Sequence, residues 1–319
     1  MNRIGILTSG GDAPGMNAAI RAAVRNGIAS GMKVFGIERG YEGLIDGDIY
    51  EMDVKSVADI IHRGGTMLQT ARSERFMTKE GLDKAVMMAQ SFGLDSLVII
   101  GGNGSLTGAL TLAERGIHVE CLPGTIDNDL GYTDRTIGFD TAVNTVLGAV
   151  SNIRDTSSSH ERTTIIEVMG RHCGDIALYT GLAGGAESVL VPEIPFDINA
   201  ICVKIIQGRN RGKKHNIIIK AEGVEIDSFE LAKTIQERTG VESKVVVLGY
   251  LQRGGSPTAE DRLFASRAGF KAVELIKDGI YDRAIGLAGN ELVHYPLADA
   301  LKIPTKAATE YLDIIDVLS

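Results

Sequence analysis

Short aliphatic runs recur along this chain, each passing through a turn, most of them glycine-bearing, into a helical pattern. Residues 3–9 (RIGILTS) read as a strand, and residues 16–31 (MNAAIRAAVRNGIASG) as a helix ended by Gly31. A strand at 33–38 follows, then a short helix at 56–65 (SVADIIHRGG), a helix at 82–93 and the strand SLVIIGG. After a strand at 118–124 comes a long helix at 141–156, and further strands read at 163–170, 188–192, 216–223 and 244–250. Strands that alternate with helices return by right-handed crossovers to a parallel sheet. The runs are continuously apolar, as in sheets covered by helices on both faces. An α/β fold follows. A length of 319 residues suggests about two domains, with the first boundary near 138–141, where one set of strands ends and another begins.

Aromatic residues make up only 5% of the chain and Trp is absent, so the cores must be aliphatic. A net charge of −8 argues against a general nucleic-acid partner, while leaving room for a small anion held by a local Arg cluster. Cys121, Cys173 and Cys202 show no metal or redox spacing and read as small core residues of a reduced, cytoplasmic protein. No secretory segment and no apolar stretch of membrane-spanning length is expected.

In open parallel sheets, ligands bind beyond the carboxyl ends of the strands. Several of those ends are decorated here: TSGGDAPGMN, GGNGS, PGTIDND and EVMGRHCGD. Gly10, Gly11, Gly102 and Gly104 clear space where a phosphate can meet backbone N–H groups, and the following helices aim their positive ends at the same place. One such loop alone would be an ordinary tight turn. None matches the P-loop or the G-x-G-x-x-G fingerprint, which weakens a nicotinamide dehydrogenase reading. Asp127 and Asp129 stand two apart; in an extended loop both carboxylates point one way, suiting a base and a metal neighbour, or else the pair forms an Asx-turn or cap. Arg72, Arg162, Arg171 and Arg253 lie in loops or at element ends and are either phosphate forks or solvated cations. Arg21 and Arg25, four apart on a helix, and the turn RGKKH (211–215) form either a second anion site or wet surface. His160 and His172 read as polar loop residues.

Taken together, TSGGDAPGMNAAIR, GGNGS, PGTIDND, GFDTA, EVMGRHCGDIA, AEG and LGYLQRGGSPTAEDR closely resemble the bacterial ATP-dependent 6-phosphofructokinases, from residue 1 to about 300. The resemblance implies two Rossmann-like three-layer αβα domains with mostly parallel sheets. An ATP-binding domain would span 1–138 plus 252–302, and a sugar-phosphate domain 139–251 plus 303–319. It implies MgATP-dependent phosphorylation of the 1-hydroxyl of fructose 6-phosphate, in glycolysis, by a homotetramer. Gly11, Arg72, Ser73, Gly102, Asn103, Gly104 and Ser105 would hold ATP. Thr125, Ile126 and Asp127 would face the sugar, with Asp127 as base, and Thr125 and Arg171 would stabilise the phosphoryl in flight. Met169, Gly170, Glu222, Tyr250 and Arg253 would hold the sugar phosphate, helped by Arg162 and Lys244 from a neighbouring subunit. Arg21, Arg25, Asp59, Arg154, Gly185, Glu187, Arg211, Lys213, Lys214 and His215 match the family's effector site for ADP or phosphoenolpyruvate. Pyrophosphate-using relatives place Asp and Lys at positions 104 and 124, where this chain has Gly104 and Gly124, and that favours ATP.

The chain also departs from the family. Asn103 stands where an Asp serves the metal, so an amide replaces a charge that hard cations prefer, and Asp129 is left to carry more of the balance. Weakened MgATP use is therefore expected, with a non-turning-over binding form or a pyrophosphate-dependent enzyme as the alternatives. Lys244 replaces an Arg, losing the planar fork, and Tyr250 replaces a His. Val54 replaces an effector-site Arg, which points to weak regulation.

Overall fold

The computed structural model describes residues 2–319. They divide into two units. One comprises the residues up to Thr141 with Arg253–Thr305; the other comprises Ala142–Gln252 with Lys306–Ser319.

The first unit is built on strands whose central residues are mostly apolar and buried. β1 (Arg3–Ser9) leads through a glycine turn to α1 (Met16–Ala29), then β2 (Lys33–Ile37), α2 (Gly40–Asp46) and β3 (Ile49–Met52). α3 (Lys79–Ser91) precedes β4 (Ser96–Gly101), α4 (Asn103–Ala113) and β5 (His118–Pro123). Leu97, Val98, Ile99 and Ile100 of β4 are all fully buried, so this strand is the unit's centre. The sheet order is β3-β2-β1-β4-β5, with the inner pairs parallel and in register, Ile6 against Val98 and Ile99 against Cys121. β3 runs antiparallel to β2.

α5 (Phe139–His160) begins at the boundary between the units, longer at both ends than the pattern predicts. The second unit's strands are β6 (Thr163–Val168), β7 (Ser188–Leu190), β8 (Asn216–Ala221) and β9 (Ser243–Val247), in the order β7-β8-β6-β9 and all parallel. α6 (Asp175–Gly184), α7 (Ile198–Asn210) and α8 (Ser228–Thr239) connect them. The chain then supplies the first unit with α9 (Ala259–Lys277) and the hairpin of β10 (Arg283–Ala288) and β11 (Glu291–Pro296). β10 joins β5 in parallel and β11 closes the edge antiparallel, through a Gly289-Asn290 turn in which Gly289 has φ 60°.

Differences from the sequence reading have local causes. Residues 56–65 form isolated turns, not a helix. Asp53 and Ser56 exchange side-chain and backbone hydrogen bonds, and Asp59 takes φ 56°, which stops helical propagation. His160 closes α5, its Nδ1 3.0 Å from the Thr156 carbonyl, and is not a loop residue. All three cysteines are buried, as read from the sequence. Among the described residues, no helix is long and apolar enough to cross a membrane.

Asp261 fixes the entry to α5. Its buried carboxylate accepts the Gly138 and Thr141 N–H groups, both at 2.8 Å, and the Thr141 hydroxyl at 2.5 Å. Burial pushes this carboxyl up to about 6 despite those hydrogen bonds. It is a constraint that no local pattern announces.

Candidate active site

The turns after β1, β4 and β5 converge on one cavity of ≈ 400 Å³ in the first unit. It is lined by Gly10, Gly11, Gly102, Asn103, Gly104, Ser105, Thr125, Asp127 and Asp129, with Arg72, Ser73 and Arg253 entering from outside the sheet. Gly102 caps α4 in an extended conformation, and α4 then begins at Asn103. The opening turn of a helix leaves N–H groups without intrahelical acceptors and carries the positive end of the dipole, which suits an anion.

The glycines act by close approach. A Cβ on Gly11 would lie 2.4 Å from Nη1 of Arg253, whose guanidinium donates to the Asp12 carbonyl at 3.3 Å. A Cβ on Gly102 would meet Thr125 at 3.4 Å. A Cβ on Gly104 meets nothing within 4 Å, so the cavity is open at that point, whereas one on Gly124 would press on Ile100 and Met16 at 2.9 and 3.0 Å.

The acidic loop is not extended. Asn128 sits at φ 53°, and its side chain accepts the Thr136 N–H at 3.0 Å, so the chain turns between the two carboxylates. Asp127 and Asp129 nevertheless line the same cavity. The Thr125 hydroxyl accepts the Asp127 N–H at 3.2 Å. Ile126 departs from its expected place: its side chain is fully buried, facing inward toward Gly138, so only its backbone can face a ligand.

An apolar flank of the cavity had no signal in the sequence. Tyr41, Ala71, Phe76, Met77 and Gly108 line it. The Tyr41 and Phe76 rings stack at 4.1 Å and 11°, and Tyr41 donates its hydroxyl to the Ser105 carbonyl, tying the aromatic pair to the first turn of α4. Burial pushes the Tyr41 phenol well up, so it stays a donor. Gly108 is needed beside the pair, since a Cβ there would stand 2.9 Å from Tyr41 and 3.0 Å from Phe76.

In the second unit, Met169, Gly170, Arg171 and Glu222 lie together at the carboxyl ends of β6 and β8. The Glu222 N–H donates to the Val168 carbonyl at 2.8 Å and the Gly223 N–H to the Gly170 carbonyl at 3.2 Å. The Gln252 side chain holds the Met169 N–H at 3.0 Å. Arg171 is exposed and opens on a cavity of ≈ 740 Å³ with His172, Gly223 and Glu225. Arg162 and Lys244 share Glu242, at 3.6 and 2.8 Å, and Lys244 chiefly holds that carboxyl below its usual range. Tyr250 is 84% exposed.

The second unit also gathers Arg154, Gly185, Glu187, Lys213 and His215. Arg154 donates to the Gly184 and Gly185 carbonyls and contacts the His215 ring at 3.2 Å, and Lys213 pairs with Glu187 at 2.9 Å. Burial chiefly, helped by Arg154 and Lys213, lowers the His215 pKa and keeps the ring neutral. Arg211 and Lys214 are exposed on the adjacent turn. Arg21, Arg25 and Asp59 belong to the first unit, where Asp59 faces His62 and Arg63 at 3.7 and 4.0 Å.

Among the described residues, no group of three or more His, Cys, Asp or Glu is arranged to hold a metal by itself. Asn103, Asp127 and Asp129 still offer oxygens on one cavity, which fits Mg²⁺, an ion that keeps waters and takes much of its shell from substrate phosphates.

Comparison with known proteins agrees with this geometry. A family model described as Phosphofructokinase matches residues 3–276. The ATP-dependent 6-phosphofructokinase of Alkaliphilus metalliredigens is 57% identical over 319 residues, covering 100% of both chains, and that of Clostridium botulinum strain Loch Maree is 55% identical over the same span. The structure of phosphofructokinase from Saccharomyces cerevisiae superposes with a TM-score of 0.91 at 34% identity; the match covers 99% of this chain and 47% of the yeast chain. A pyrophosphate-dependent phosphofructokinase from Marinobacter aquaeolei shares the fold, with a TM-score of 0.84 at 22% identity, covering 99% of this chain and 91% of that one. By its strand-end loops, by the family model and by full-length relatives at more than half identity, the chain belongs to the phosphofructokinase family.

Proposed function

We propose that the chain is an ATP-dependent 6-phosphofructokinase, which transfers the γ-phosphoryl of ATP to the 1-hydroxyl of fructose 6-phosphate in glycolysis. The observation that carries this reading is the shared cavity: Asp127 and Thr125 open on the same space as the helix start at Gly102–Ser105. In-line phosphoryl transfer asks for alignment and charge stabilisation more than for covalent chemistry.

On this reading the N–H groups opening α4, with Arg72, Ser73 and Gly11, hold the polyphosphate. The Tyr41–Phe76–Met77 flank takes the base. Asp127 accepts the proton of the attacking hydroxyl as its oxygen bonds to the γ-phosphorus, and ADP leaves with the electrons of the broken bond. Thr125 and Arg171 meet the charge on the phosphoryl in flight. Met169, Gly170, Glu222 and Arg253 orient the sugar phosphate, Tyr250 borders it, and Arg162 and Lys244 reach it from a neighbouring subunit of a homotetramer. Mg²⁺ near Asn103 and Asp129 would neutralise phosphate charge and fix the conformation of the tail. Arg21, Arg25, Asp59, Arg154, Gly185, Glu187, Arg211, Lys213, Lys214 and His215 serve ADP and phosphoenolpyruvate at an effector site between subunits, weakly because Val54 brings no cation.

Relatives above half identity are named ATP-dependent enzymes, the pyrophosphate-dependent likeness is one of fold only, and Gly104 leaves the cavity open. A coupled assay with fructose 6-phosphate is therefore expected to show turnover with MgATP and none with Mg-pyrophosphate; the reverse would overturn the reading. The non-turning-over alternative is not favoured, since the base, the anion-binding turn and Arg171 are all present. Asn103→Asp is expected to raise kcat/KM for MgATP about tenfold while the KM for fructose 6-phosphate stays within about twofold, as restoring one carboxylate near a hard cation would do. An unchanged Mg²⁺ dependence would remove Asn103 from the metal's surroundings.

A further inference from the structure

We propose that Glu42 is a positioning residue for nucleotide binding, holding the segment that presents Arg72 and Met77 to the cavity. The inference rests on the ATP reading above and concerns a residue that does not itself line the cavity.

From Asp53 to Glu74 the chain makes no helix or strand, only turns, so its course depends on side-chain tethers. The upstream part is tied to the β1 end: the Thr8 hydroxyl donates to the Gln69 carbonyl and the Thr70 hydroxyl to the Gly10 carbonyl, both at 2.8 Å. The next residues are tied to α2 instead. One oxygen of Glu42 accepts the Ser73 hydroxyl and the other accepts Nη1 of Arg75. Nη2 of Arg75 reaches Asp46 at 3.0 Å, and Asp46 in turn meets Arg39 at 3.2 Å. The Ser73 hydroxyl also accepts the Phe76 N–H at 3.1 Å, so the carboxylate fixes the turn that sets Phe76 on Tyr41.

The arrangement serves order in the segment rather than global stability. Arg75 is 49% exposed, and pairs of that kind add little to folding. Glu42 is 18% exposed, and both its oxygens are engaged by residues of a single short segment whose neighbours, Ala71, Arg72, Phe76 and Met77, line the cavity. A segment with few tethers opens locally at low free energy, and holding it in the binding geometry beforehand spares the ligand that ordering. Tyr41, the adjacent residue on α2, contributes its ring to the same flank, so α2 supplies both part of that wall and the clamp for the segment that completes it.

The test compares wild type with Glu42→Ala, Glu42→Gln, Arg75→Ala and the double variant Glu42→Ala with Arg75→Ala, using steady-state kinetics, calorimetric binding of a non-hydrolysable ATP analogue, and thermal unfolding. For Glu42→Ala the KM for MgATP and the analogue Kd are expected to rise about fivefold, with kcat and the KM for fructose 6-phosphate within about twofold. Its Tm is expected within about 2 °C of wild type. Glu42→Gln, which keeps an acceptor for Ser73 but loses the charge facing Arg75, falls between. The Arg75→Ala change adds less to Glu42→Ala than it produces alone, because the two share one contact. Nucleotide affinity unchanged within twofold overturns the proposal. So does tighter nucleotide binding, which would mean that Glu42 merely repels phosphate, and so does a joint loss of kcat, both KM values and Tm, which would mark a structural residue. If the wild type binds no nucleotide, the ATP reading fails instead.

Discussion

Asp127→Asn is expected to lower kcat by about 10²–10⁴-fold, while the KM for fructose 6-phosphate and for MgATP moves by less than about threefold. Asn keeps the volume and one oxygen of Asp127 but cannot take a proton from the attacking hydroxyl. The substitution therefore removes an interaction made in the transition state and spares the ground state. Fold should be unaffected, because Asp127 lies on a cavity wall and the loop's course is set by its neighbours. Asn128 holds the Thr136 N–H and Thr125 holds the Asp127 N–H. Steady-state rates with both substrates varied, together with sugar-phosphate binding measured directly, check the split. A kcat within tenfold of wild type would take the base role away from Asp127. Asp129→Asn provides the contrast: its loss is expected to appear in the dependence on Mg²⁺ concentration, since on the proposed reading this carboxylate serves the metal and not the hydroxyl.

The parts of this site that were readable in the sequence share one property: their signal is local. Continuous apolar runs such as residues 97–100 could only be buried strands, and the glycines directly after them marked the turns now found on one cavity. What was not readable depends on meetings between distant segments. Tyr41 and Phe76 belong to different elements, and no periodicity links them, yet their stack forms the apolar flank, tied to the phosphate turn through the Ser105 carbonyl. Glu42 carries no local signal, because its partners Ser73 and Arg75 lie 31 and 33 residues further on. Arg253 explained a second requirement for Gly11 that no motif contains, the room its guanidinium occupies. The choice between an extended loop and a turn at 128 stayed open because a positive φ at Asn is permitted but not compelled, and the Thr136 N–H that rewards it lies eight residues on. The antiparallel edges were missed for a similar reason. β3 has only four residues and β11 is part-exposed along its length, so they lack the continuous apolarity that identified the inner strands.

Glu120 leads to the second large expectation: Glu120→Gln should raise stability at alkaline pH and leave it unchanged near pH 5. Glu120 sits inside β5, wholly buried, between Val98 of β4 and Arg283 of β10. Neither carboxyl oxygen has a hydrogen-bond partner. Burial chiefly, with Asp282 adding and Arg283 opposing, pushes the carboxyl up to about 9. In the unfolded chain it returns to its ordinary value of 4.5, so between these values the folded protein holds a proton that unfolding releases. Stability contributed by the neutral form is then complete below 4.5 and drains away as pH rises toward 9, by at most about 1.4 kcal/mol per pH unit. From pH 5 to pH 8 the upper bound is about 4 kcal/mol. Gln is neutral throughout and carries no such slope, so the Tm difference between the variant and wild type should widen steadily over that interval. Of the nearby groups, His294 is kept below its usual pKa by burial, Lys271 and Arg283, so it titrates at the acid end and cannot produce a slope above neutrality. Glu120 does not line the cavity at the strand ends, so kcat should be unchanged while thermal unfolding at pH 5, 6.5 and 8 reports the trend. A Tm difference that is the same at all three would mean that Glu120 is already ionised in the folded protein, with Arg283 compensating its charge.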